Sequence, residues 1–414
     1  MKKILFYSDC FIFGGCELVI SNILQYEKIL KQYKIYFAYR YSHEYEKMLK
    51  QHLIPKIIIF HPICIFTLDS YFYRLHNCLI NPSLIERGCY KILYLIQKIG
   101  LFSMLNFWVL LFLFKKIKPD ILHINNGGYP AASSCLIAVF SAKLAGIKKI
   151  VFTVNNLAQK QRNILEIIVD KCILSNVNIF TTASKAAAER LAHNRHFDNI
   201  INIPNTVRHN YNISNYNLLR EEYHIDKSTK IIGSAGILTY RKGFHILIDA
   251  IKMLVDEGER NFKLIIFGEG EDRKKLENQI DIIGLNEIIL LPGFKNNILE
   301  YVNGFDIFIL PSIDNEDFPY VILEAMSLQK PIIGTNVAGI PEQIVDGETG
   351  FVVEPHNANA LKEKISYLLN SGSLILEMGL KSKKRFQDHF IYDSVIDQYD
   401  DLYSQLLIED GKLF

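Results

Sequence analysis

Two glutamates and a proline in the second half of the chain form the clearest group of residues suited to chemistry. In the segment SIDNEDFPYVILEAMS, seven residues separate Glu316 from Glu324, and Pro319 lies between them. Proline is favoured in the first turn of a helix because its missing N–H would have no partner there. The pattern therefore predicts a helix starting at Pro319, with Glu316 in the preceding loop and Glu324 about a turn and a half inside.

The N-terminus of such a helix is suited to binding an anion. Its first N–H groups have no partners within the helix and the helix dipole is positive there, which favours a diphosphate. The residues that would form this cradle are Phe318, Pro319, Tyr320 and Val321. The two flanking carboxylates can accept hydrogen bonds from hydroxyl groups, so the spacing predicts a site for a diphosphate that carries a sugar or a ribose.

The elements that must position these residues alternate between short apolar runs and amphipathic stretches. Such alternation is typical of β-α-β units and parallel sheets, so we predict an α/β protein. Strands are predicted in the first half at KILFYS, KIYFAY, KIIIFH, DILHIN, KIVFTV and NIFTTAS. In the second half they are predicted at KIIGSAG, KLIIFGEG, IILLPGF, DIFILPS and PIIGTN.

A linker is predicted between the two halves. The segment INIPNTV, residues 201–207, contains a Pro-Asn pair and precedes a polar, asparagine-rich stretch. We therefore predict a first domain over residues 1–206 and a second over residues 207–389. The amphipathic C-terminal segment, about residues 390–414, follows the second sheet and is predicted to cross back onto the first domain.

The two glutamates lie in the segment of residues 312–353, whose later part reads EAMSLQKPIIGTNVAGIPEQIVDGETGFVV. This segment is similar to the signature of the retaining glycosyltransferases of family 4. The resemblance covers most of the chain; it is specific over residues 230–355 and loose over residues 40–120. It implies the GT-B fold, in which two Rossmann-like domains face each other across a cleft. It also implies that Glu316 faces the donor sugar and that Glu324 binds the nucleotide ribose.

The segment GILTYRKGFHILIDAI, residues 236–251, resembles the family loop whose arginine and lysine hold the donor diphosphate. Lys242 matches the lysine, whereas Ile237 stands at the usual arginine position. Arg241 is the candidate for the second cation, with a single-cation site as the alternative. Positive charges at a diphosphate would also stabilise the departing group.

Two further segments concern the nucleotide. LPGFKNNILEY, residues 291–301, resembles the family segment that borders the base, which assigns Phe294 and Lys295 there; a packed Phe294 and an exposed Lys295 are the alternative. FGEGEDRKKL, residues 267–276, has two glycines of a dinucleotide fingerprint. Arg273 occupies the position of the third, which argues against NAD.

In the first domain, Gly14 and Gly15 form a predicted turn between a strand and a helix, where backbone N–H groups could approach a phosphate. The family has such a turn followed by a glutamate. His123 matches a recurring family histidine at a strand end and is assigned to the acceptor side, with a structural role as the alternative. Asn155 replaces a second family histidine and is also assigned to the acceptor side.

Cysteine usage and charge indicate a compartment and a partner. Seven cysteines without a Cys-x-x-Cys pair predict reduced thiols in the cytosol and no zinc site.

Residues 1–206 carry an excess of thirteen positive charges and residues 207–414 an excess of eleven negative ones. This asymmetry predicts an anionic partner for the first domain, with a membrane surface favoured over nucleic acid because no nucleic-acid-binding motif is present.

The apolar stretch Leu101 to Phe114 is too short to span a bilayer. It is predicted either to insert into the membrane surface or to form a core helix, and we favour docking by charge without insertion. No Asp-x-Asp motif is present, so no metal or other cofactor is expected.

The resemblance implies front-face transfer of a sugar from a UDP-sugar, or next GDP-mannose, to a lipid-linked saccharide in surface polysaccharide synthesis. An inverting relative or an epimerase is disfavoured by the glutamate spacing. A sugar-nucleotide-binding protein without catalysis remains the alternative of a different class.

Overall fold

The computed structural model describes residues 1–51, 55–68, 91, 93–95, 97–98, 100–208 and 217–408, which divide into two compact units. The first unit contains the described residues of Met1–Thr182, Ala188–Ile203 and Ile396–Phe414, and the second those of Ala183–Ala187 and Pro204–Val395. The break between Ile203 and Pro204 lies three residues before the predicted boundary at 206 and 207, and the short segment Ala183–Ala187 also belongs to the second unit. Of the predicted return segment, residues 390–395 belong to the second unit and residues 409–414 lie outside the described part.

The first unit is built on a sheet of seven parallel strands. They are β1 (Lys2–Ser8), β2 (Tyr33–Arg40), β3 (Ile59–Ile63), β4 (Ile121–Asn126), β5 (Lys149–Val154), β6 (Ile179–Thr182) and β7 (Ile200–Asn202). Their order across the sheet is β3-β2-β1-β4-β5-β6-β7. The helices along this part of the chain are α1 (Gly15–Leu24), α2 (Glu27–Gln32), α3 (His43–Gln51), α4 (Leu101–Ile117), α5 (Ser133–Ala145), α6 (Ile164–Leu174) and α7 (Lys185–Arg195).

The second unit is built on a sheet of six parallel strands. They are β8 (Lys230–Ala235), β9 (Phe262–Phe267), β10 (Ile289–Gly293), β11 (Ile307–Leu310), β12 (Ile332–Thr335) and β13 (Gly350–Val353), in the order β10-β9-β8-β11-β12-β13. A 3-10 helix covers Tyr240–Lys242. The α-helices along this part of the chain are α8 (Leu218–Glu222), α9 (Phe244–Asp256), α10 (Arg273–Ile283), α11 (Ile298–Asn303), α12 (Tyr320–Ser327), α13 (Ile340–Gln343), α14 (Ala358–Leu369), α15 (Gly372–His389) and α16 (Tyr392–Ile408). From Ile396 onward, α16 belongs to the first unit.

The central strands are apolar along nearly their whole length because helices cover both faces of each sheet. All four residues of β11 are buried, as are the last five of β1 and of β8. The helices use a 3.6-residue period instead. In α9 the buried side chains include Phe244, Leu247, Ile251 and Leu254, which form one face against the sheet.

Helix α4 contains the apolar stretch from Leu101 to Phe114. Its side chains Leu110, Leu111 and Phe114 are buried in the core of the first unit, so part of the helix is a core element. Among the residues that the structure describes, no helix is long and apolar enough to cross a membrane.

In each sheet the chain changes direction once, next to the first strand of the unit. The change falls between β1 and β4 in the first sheet and between β8 and β11 in the second. Ligands of open parallel sheets bind at the carboxyl ends of the strands at such a switch point. In the second unit, the 3-10 helix follows β8 there and the loop with Glu316 follows β11.

Candidate functional site

At the switch point of the second unit, Glu316 is bound by two cations. Arg241 Nη1 donates to Glu316 Oε1 at 2.8 Å, and Lys242 Nζ donates to Glu316 Oε2. Ser312 Oγ lies 3.4 Å from the same Oε2. The 3-10 helix carries both cations, and its placement after β8 brings them to a carboxylate 74 and 75 residues further along the chain.

Both members of the Lys242–Glu316 pair are buried, whereas the Arg241 side chain is 38% exposed. Burial alone would raise the pKa of Glu316, but Lys242 and Arg241 outweigh it and hold that pKa below its usual value. Burial lowers the pKa of Lys242, with Glu316 opposing the shift. One carboxylate against two cations leaves a net positive charge, which is suited to a phosphate.

The loop that carries Glu316 is shaped by residues that the motif did not single out. Asn315 has a φ of 52°, a backbone conformation that asparagine adopts more readily than most residues, and its carbonyl accepts from Arg241 at 3.2 Å. Asp317 is buried and accepts a hydrogen bond from Ser184. Burial raises the pKa of Asp317 to about 7. The only sequence signal for these roles was their position beside Glu316.

The glycine of the motif stretch VAGIPE supports the same loop. A Cβ on Gly339 would lie 1.9 Å from the carbonyl oxygen of Asp317, so only glycine permits this approach. The conspicuous AGIPE part of the signature thus serves to pack the backbone against the Glu316 loop.

Glu324 lies on α12, partly buried, and has no hydrogen bond or ion pair from its carboxylate within the described part of the chain. Burial raises its pKa to about 7. A desolvated carboxylate without donors is poorly satisfied until hydroxyl groups of a ligand supply them. Its geometry therefore agrees with the ribose-binding role that the resemblance implies.

Replacing Glu324 by glutamine is expected to stabilise the unliganded protein at pH 8 but not at pH 5. The folded-state pKa of Glu324 lies above that of an unfolded glutamate, so its contribution to stability is lost as the pH rises through about 7. Glutamine has no such dependence. Thermal unfolding at the two pH values measures the difference, with the exposed Glu271→Gln as the control. An equal effect of Glu324→Gln at both pH values would contradict the assignment.

Helix α12 begins one residue later than predicted, at Tyr320, and Pro319 is its N-cap residue. In the described part of the chain no side chain caps this end. Tyr320 and Val321 are partly buried in its first turn. The Phe318 side chain, by contrast, is buried and packs edge-on against Phe390 at 5.5 Å. The Phe318 side chain therefore belongs to the core, and the prediction for Phe318 as part of the phosphate cradle concerns its backbone alone.

In the segment predicted to border the base, the structure shows the opposite of the alternative of a packed Phe294 and an exposed Lys295. Phe294 is 64% exposed. The ammonium group of Lys295 donates to Glu222 at 2.6 Å and lies 4.9 Å from the ring centre of Tyr301. Phe294 is thus open to a stacking ligand, whereas Lys295 is engaged by α8 and α11 and is not available to a base without breaking that ion pair.

The two glycines of FGEGEDRKKL are explained by packing. Gly268 has a φ of 143°, and a Cβ there would lie 1.9 Å from the carbonyl oxygen of Gly236. Leu238 N donates to the Glu269 carbonyl at 2.9 Å and completes the contact between the two loops. These glycines let the loop after β9 approach the loop that carries Arg241 and Lys242.

In the first unit, α1 starts at Gly15 with Gly14 as N-cap. A Cβ on Gly14 would meet no atom within 4 Å, so the protein's own packing does not require glycine there. Glu17 points into the core, where it accepts hydrogen bonds from Ser8 at 2.5 Å and from Tyr45. Glu17 thus holds the turn in place from the core side, while the space where a Gly14 side chain would lie is open to a ligand.

His123 does not reach an acceptor. It is fully buried on β4, with Nδ1 2.6 Å from Tyr403 Oη and Nε2 2.6 Å from Thr153 Oγ1. Burial lowers its pKa to about 3, so the ring is neutral at physiological pH. The acceptor-side prediction for His123 is wrong because both ring nitrogens are used in packing, and the structural alternative holds.

Asn155, the other residue assigned to the acceptor side, follows β5. Its Nδ2 donates to Asn125 Oδ1 at 2.7 Å and to the carbonyl of Asn126 at 3.0 Å. It therefore lies at the carboxyl end of the sheet, where a ligand of this unit would bind. The two asparagines at the end of β4 were not predicted as site residues, although DILHINN places them at a strand end.

Comparison with known proteins shows what the second unit is similar to. Residues 215–385 match the model of the family described as glycosyl transferases group 1. These residues make up most of the second unit, so this part of the chain is similar to that family. The capsular polysaccharide biosynthesis glycosyltransferase CapM of Staphylococcus aureus is 32% identical over 199 residues, which are 47% of this chain and 52% of CapM. The chain thus spans about half the length of the curated relatives it matches.

Solved structures resemble the whole chain. A glycosyltransferase from Rickettsia africae has a TM-score of 0.78 and 20% identity, covering 99% of both chains. HepE from Anabaena, crystallised with UDP, has a TM-score of 0.74 and 18% identity, covering 98% of this chain and 100% of HepE. Together with the two parallel sheets, these likenesses confirm the GT-B fold that the resemblance implied.

Proposed function

We propose that the protein is a retaining glycosyltransferase that moves a sugar from a nucleotide sugar to a lipid-linked saccharide during bacterial surface polysaccharide synthesis. The observation that carries the proposal is the Glu316 carboxylate between Lys242 and Arg241 at the switch point of the second sheet. Two cations suit a diphosphate, and a carboxylate beside them suits the hydroxyls of the attached sugar. Glu324 on α12, whose carboxylate has no partner among the described residues, suits the ribose.

The donor is proposed to be a UDP-sugar, with GDP-mannose as the rival. The support is that HepE, which shares the fold, was crystallised with UDP. Phe294, exposed beside the loops after β8 and β9, supplies a face on which either base could stack. The polysaccharide context is supported by the name of CapM, which is 32% identical over 199 residues.

In the proposed reaction, Lys242 and Arg241 stabilise the diphosphate as the bond to the sugar breaks. The acceptor hydroxyl enters from the same face and gives its proton to the leaving phosphate. Glu316 orients the transferred sugar, and the uncapped turn of α12 is assigned to phosphate. For the first unit by itself, the turn at Gly14 and Gly15 stays a predicted phosphate-binding turn. Because side chains supply the positive charge, we propose that no metal is required.

The first unit is proposed to reach its lipid-linked acceptor on the cytoplasmic face of the plasma membrane. The first unit of the structure includes the acidic segment Ile396–Phe414. With this segment, the first unit carries an excess of eight positive charges. That excess is smaller than the thirteen carried by residues 1–206 but keeps its sign.

Thermal unfolding with UDP, GDP, ADP and their sugars tests the donor. A ligand at a hundred times its dissociation constant stabilises the folded state by about 2.7 kcal/mol, which identifies the preferred nucleotide. Transfer is then expected to persist in EDTA, and NMR of the product is expected to show the anomeric configuration of the donor. Inversion would exclude the retaining reaction, and nucleotide binding without turnover would favour a binding protein.

A further inference from the structure

Helix α4 of the first unit has no polar face. Its inward side packs in the core, and its outward side exposes Met104, Trp108 and Phe112, which recur every four residues and so form one stripe. Trp108 is 48% exposed and Phe112 66% exposed. A surface helix ordinarily carries charged or polar residues there. Within the part of the chain that the structure describes, packing therefore does not account for the outer stripe of α4.

Two neighbouring helices continue this apolar surface. The connections from β3 to β4, β4 to β5 and β5 to β6 all step in the same direction across the sheet. Right-handed crossovers in one direction place their helices on one face, so α4, α5 and α6 form a single layer. The exposed apolar side chains of this layer, the outer apolar face, are Met104, Leu105, Trp108, Phe112, Leu144, Ile164, Leu165, Ile167 and Ile168.

The charges around the outer apolar face are almost entirely positive. Residues 101–174 contain nine lysines and arginines and three acidic residues. All three carboxylates are paired: Asp120 with Lys2, and Glu166 and Asp170 with Arg195. The exposed lysines of this segment, on the three helices and in the loops between them, are Lys115, Lys116, Lys118, Lys143, Lys148, Lys160 and Lys171.

We propose that the outer apolar face inserts into the headgroup layer of an anionic bilayer. Apolar side chains would reach the acyl boundary while the flanking lysines extend to the lipid phosphates, as in helices that lie in a membrane interface. A second copy of the chain is a poorer partner, because it would place a second set of unpaired lysines opposite the first. The inference deepens the proposed function, on which it rests for the lipid-linked acceptor.

This arrangement goes beyond attraction by charge. Charge docking leaves Trp108 in water and fades as salt screens the lysines, at about 0.5 M. Insertion moves Trp108 into an apolar medium and persists at that salt concentration. Because Trp108 is the single tryptophan of the sequence, its fluorescence reports on this face alone.

The test uses the full chain with phosphatidylcholine vesicles, with and without phosphatidylglycerol. With anionic vesicles, the Trp108 emission is expected to shift to shorter wavelength and to be quenched by lipids brominated on their acyl chains. The double variant Phe112→Glu/Ile164→Glu is expected to lower vesicle partitioning roughly tenfold or more, because burial of two large apolar side chains is lost. The matched control is Leu376→Glu/Leu380→Glu on α15, which changes two exposed leucines of the second unit.

Sedimentation with vesicles but no change in Trp108 emission would overturn insertion in favour of charge docking. Dimers that form without lipid and disappear in the Phe112→Glu/Ile164→Glu variant would assign the face to a second copy. Transfer to a soluble saccharide, measured without vesicles, separates the two proposals. If this transfer fails while insertion into vesicles is normal, the proposed reaction is overturned. The proposal that the outer apolar face inserts into a bilayer then still stands.

Discussion

Replacing Lys242 by alanine is expected to raise the barrier to sugar transfer by about 2 kcal/mol or more, a loss of roughly 30-fold in kcat. Lys242 is one of two cations on Glu316, and its burial places the charge where the dielectric response of water is weak. In the proposed reaction this charge faces the phosphate that becomes more negative as the sugar departs. The measurement is kcat with saturating donor and acceptor.

The matched control is Lys252→Ala on α9. Lys252 makes an exposed ion pair with Asp256, and exposed pairs contribute little to stability. Because Lys242→Ala also leaves Glu316 with Arg241 alone, thermal unfolding of each variant must show that the fold persists. A folded Lys242→Ala protein with wild-type kcat would remove Lys242 from the reaction and leave Arg241 as the single functional cation.

Glutamine variants of Glu316 and Glu324 are expected to separate transfer from nucleotide binding. Glu316→Gln should lower transfer roughly 100-fold while binding the bare nucleotide at least as tightly as wild type, because both cations are released for the diphosphate. Glu324→Gln should weaken the bare nucleotide by roughly tenfold or more, since hydrogen bonds to a charged group contribute about 1.5 to 3 kcal/mol. Calorimetry with the nucleotide and turnover assays measure the two effects.

The control for this pair is again Glu271→Gln, which alters an exposed glutamate outside the loops after β8 and β11. Equal losses of nucleotide affinity in Glu316→Gln and Glu324→Gln would show that the two carboxylates share one role. A loss confined to Glu316→Gln would place the ribose at Glu316 and leave the unpaired Glu324 without a ligand.

The sequence by itself determined the strands that are long and buried. Runs such as KILFYS and KLIIF are apolar along most of their length, and a chain segment of that kind is stable only with sheet neighbours and helices on both sides. It did not reveal β7 (Ile200–Asn202) or β13 (Gly350–Val353) as strands. Each is short and lies at the edge of its sheet, so its pairing with β6 or β12 depends on the rest of the fold.

The sequence also supplied the two glutamates and both cations, because their spacing and flanking residues resemble a specific signature. It could not show that Arg241 and Lys242 share one carboxylate. That contact spans more than seventy residues and exists because β8 and β11 are neighbours at the switch point. Ile237, which stands where the family has arginine, is 60% exposed and leaves the second charge to Arg241.

Only the tertiary structure decided the roles of His123, Lys295 and Phe318. The ring nitrogens of a histidine at a strand end are available to a ligand only if no neighbouring side chain binds them. In this protein Tyr403 of α16 binds the Nδ1 atom of His123. Lys295 is likewise engaged by Glu222 and Phe318 by Phe390. Residue type and local spacing give the chemistry that a side chain is able to perform. Whether its polar atoms remain available depends on partners far away in the chain, because a buried polar group must be paired wherever the fold places it.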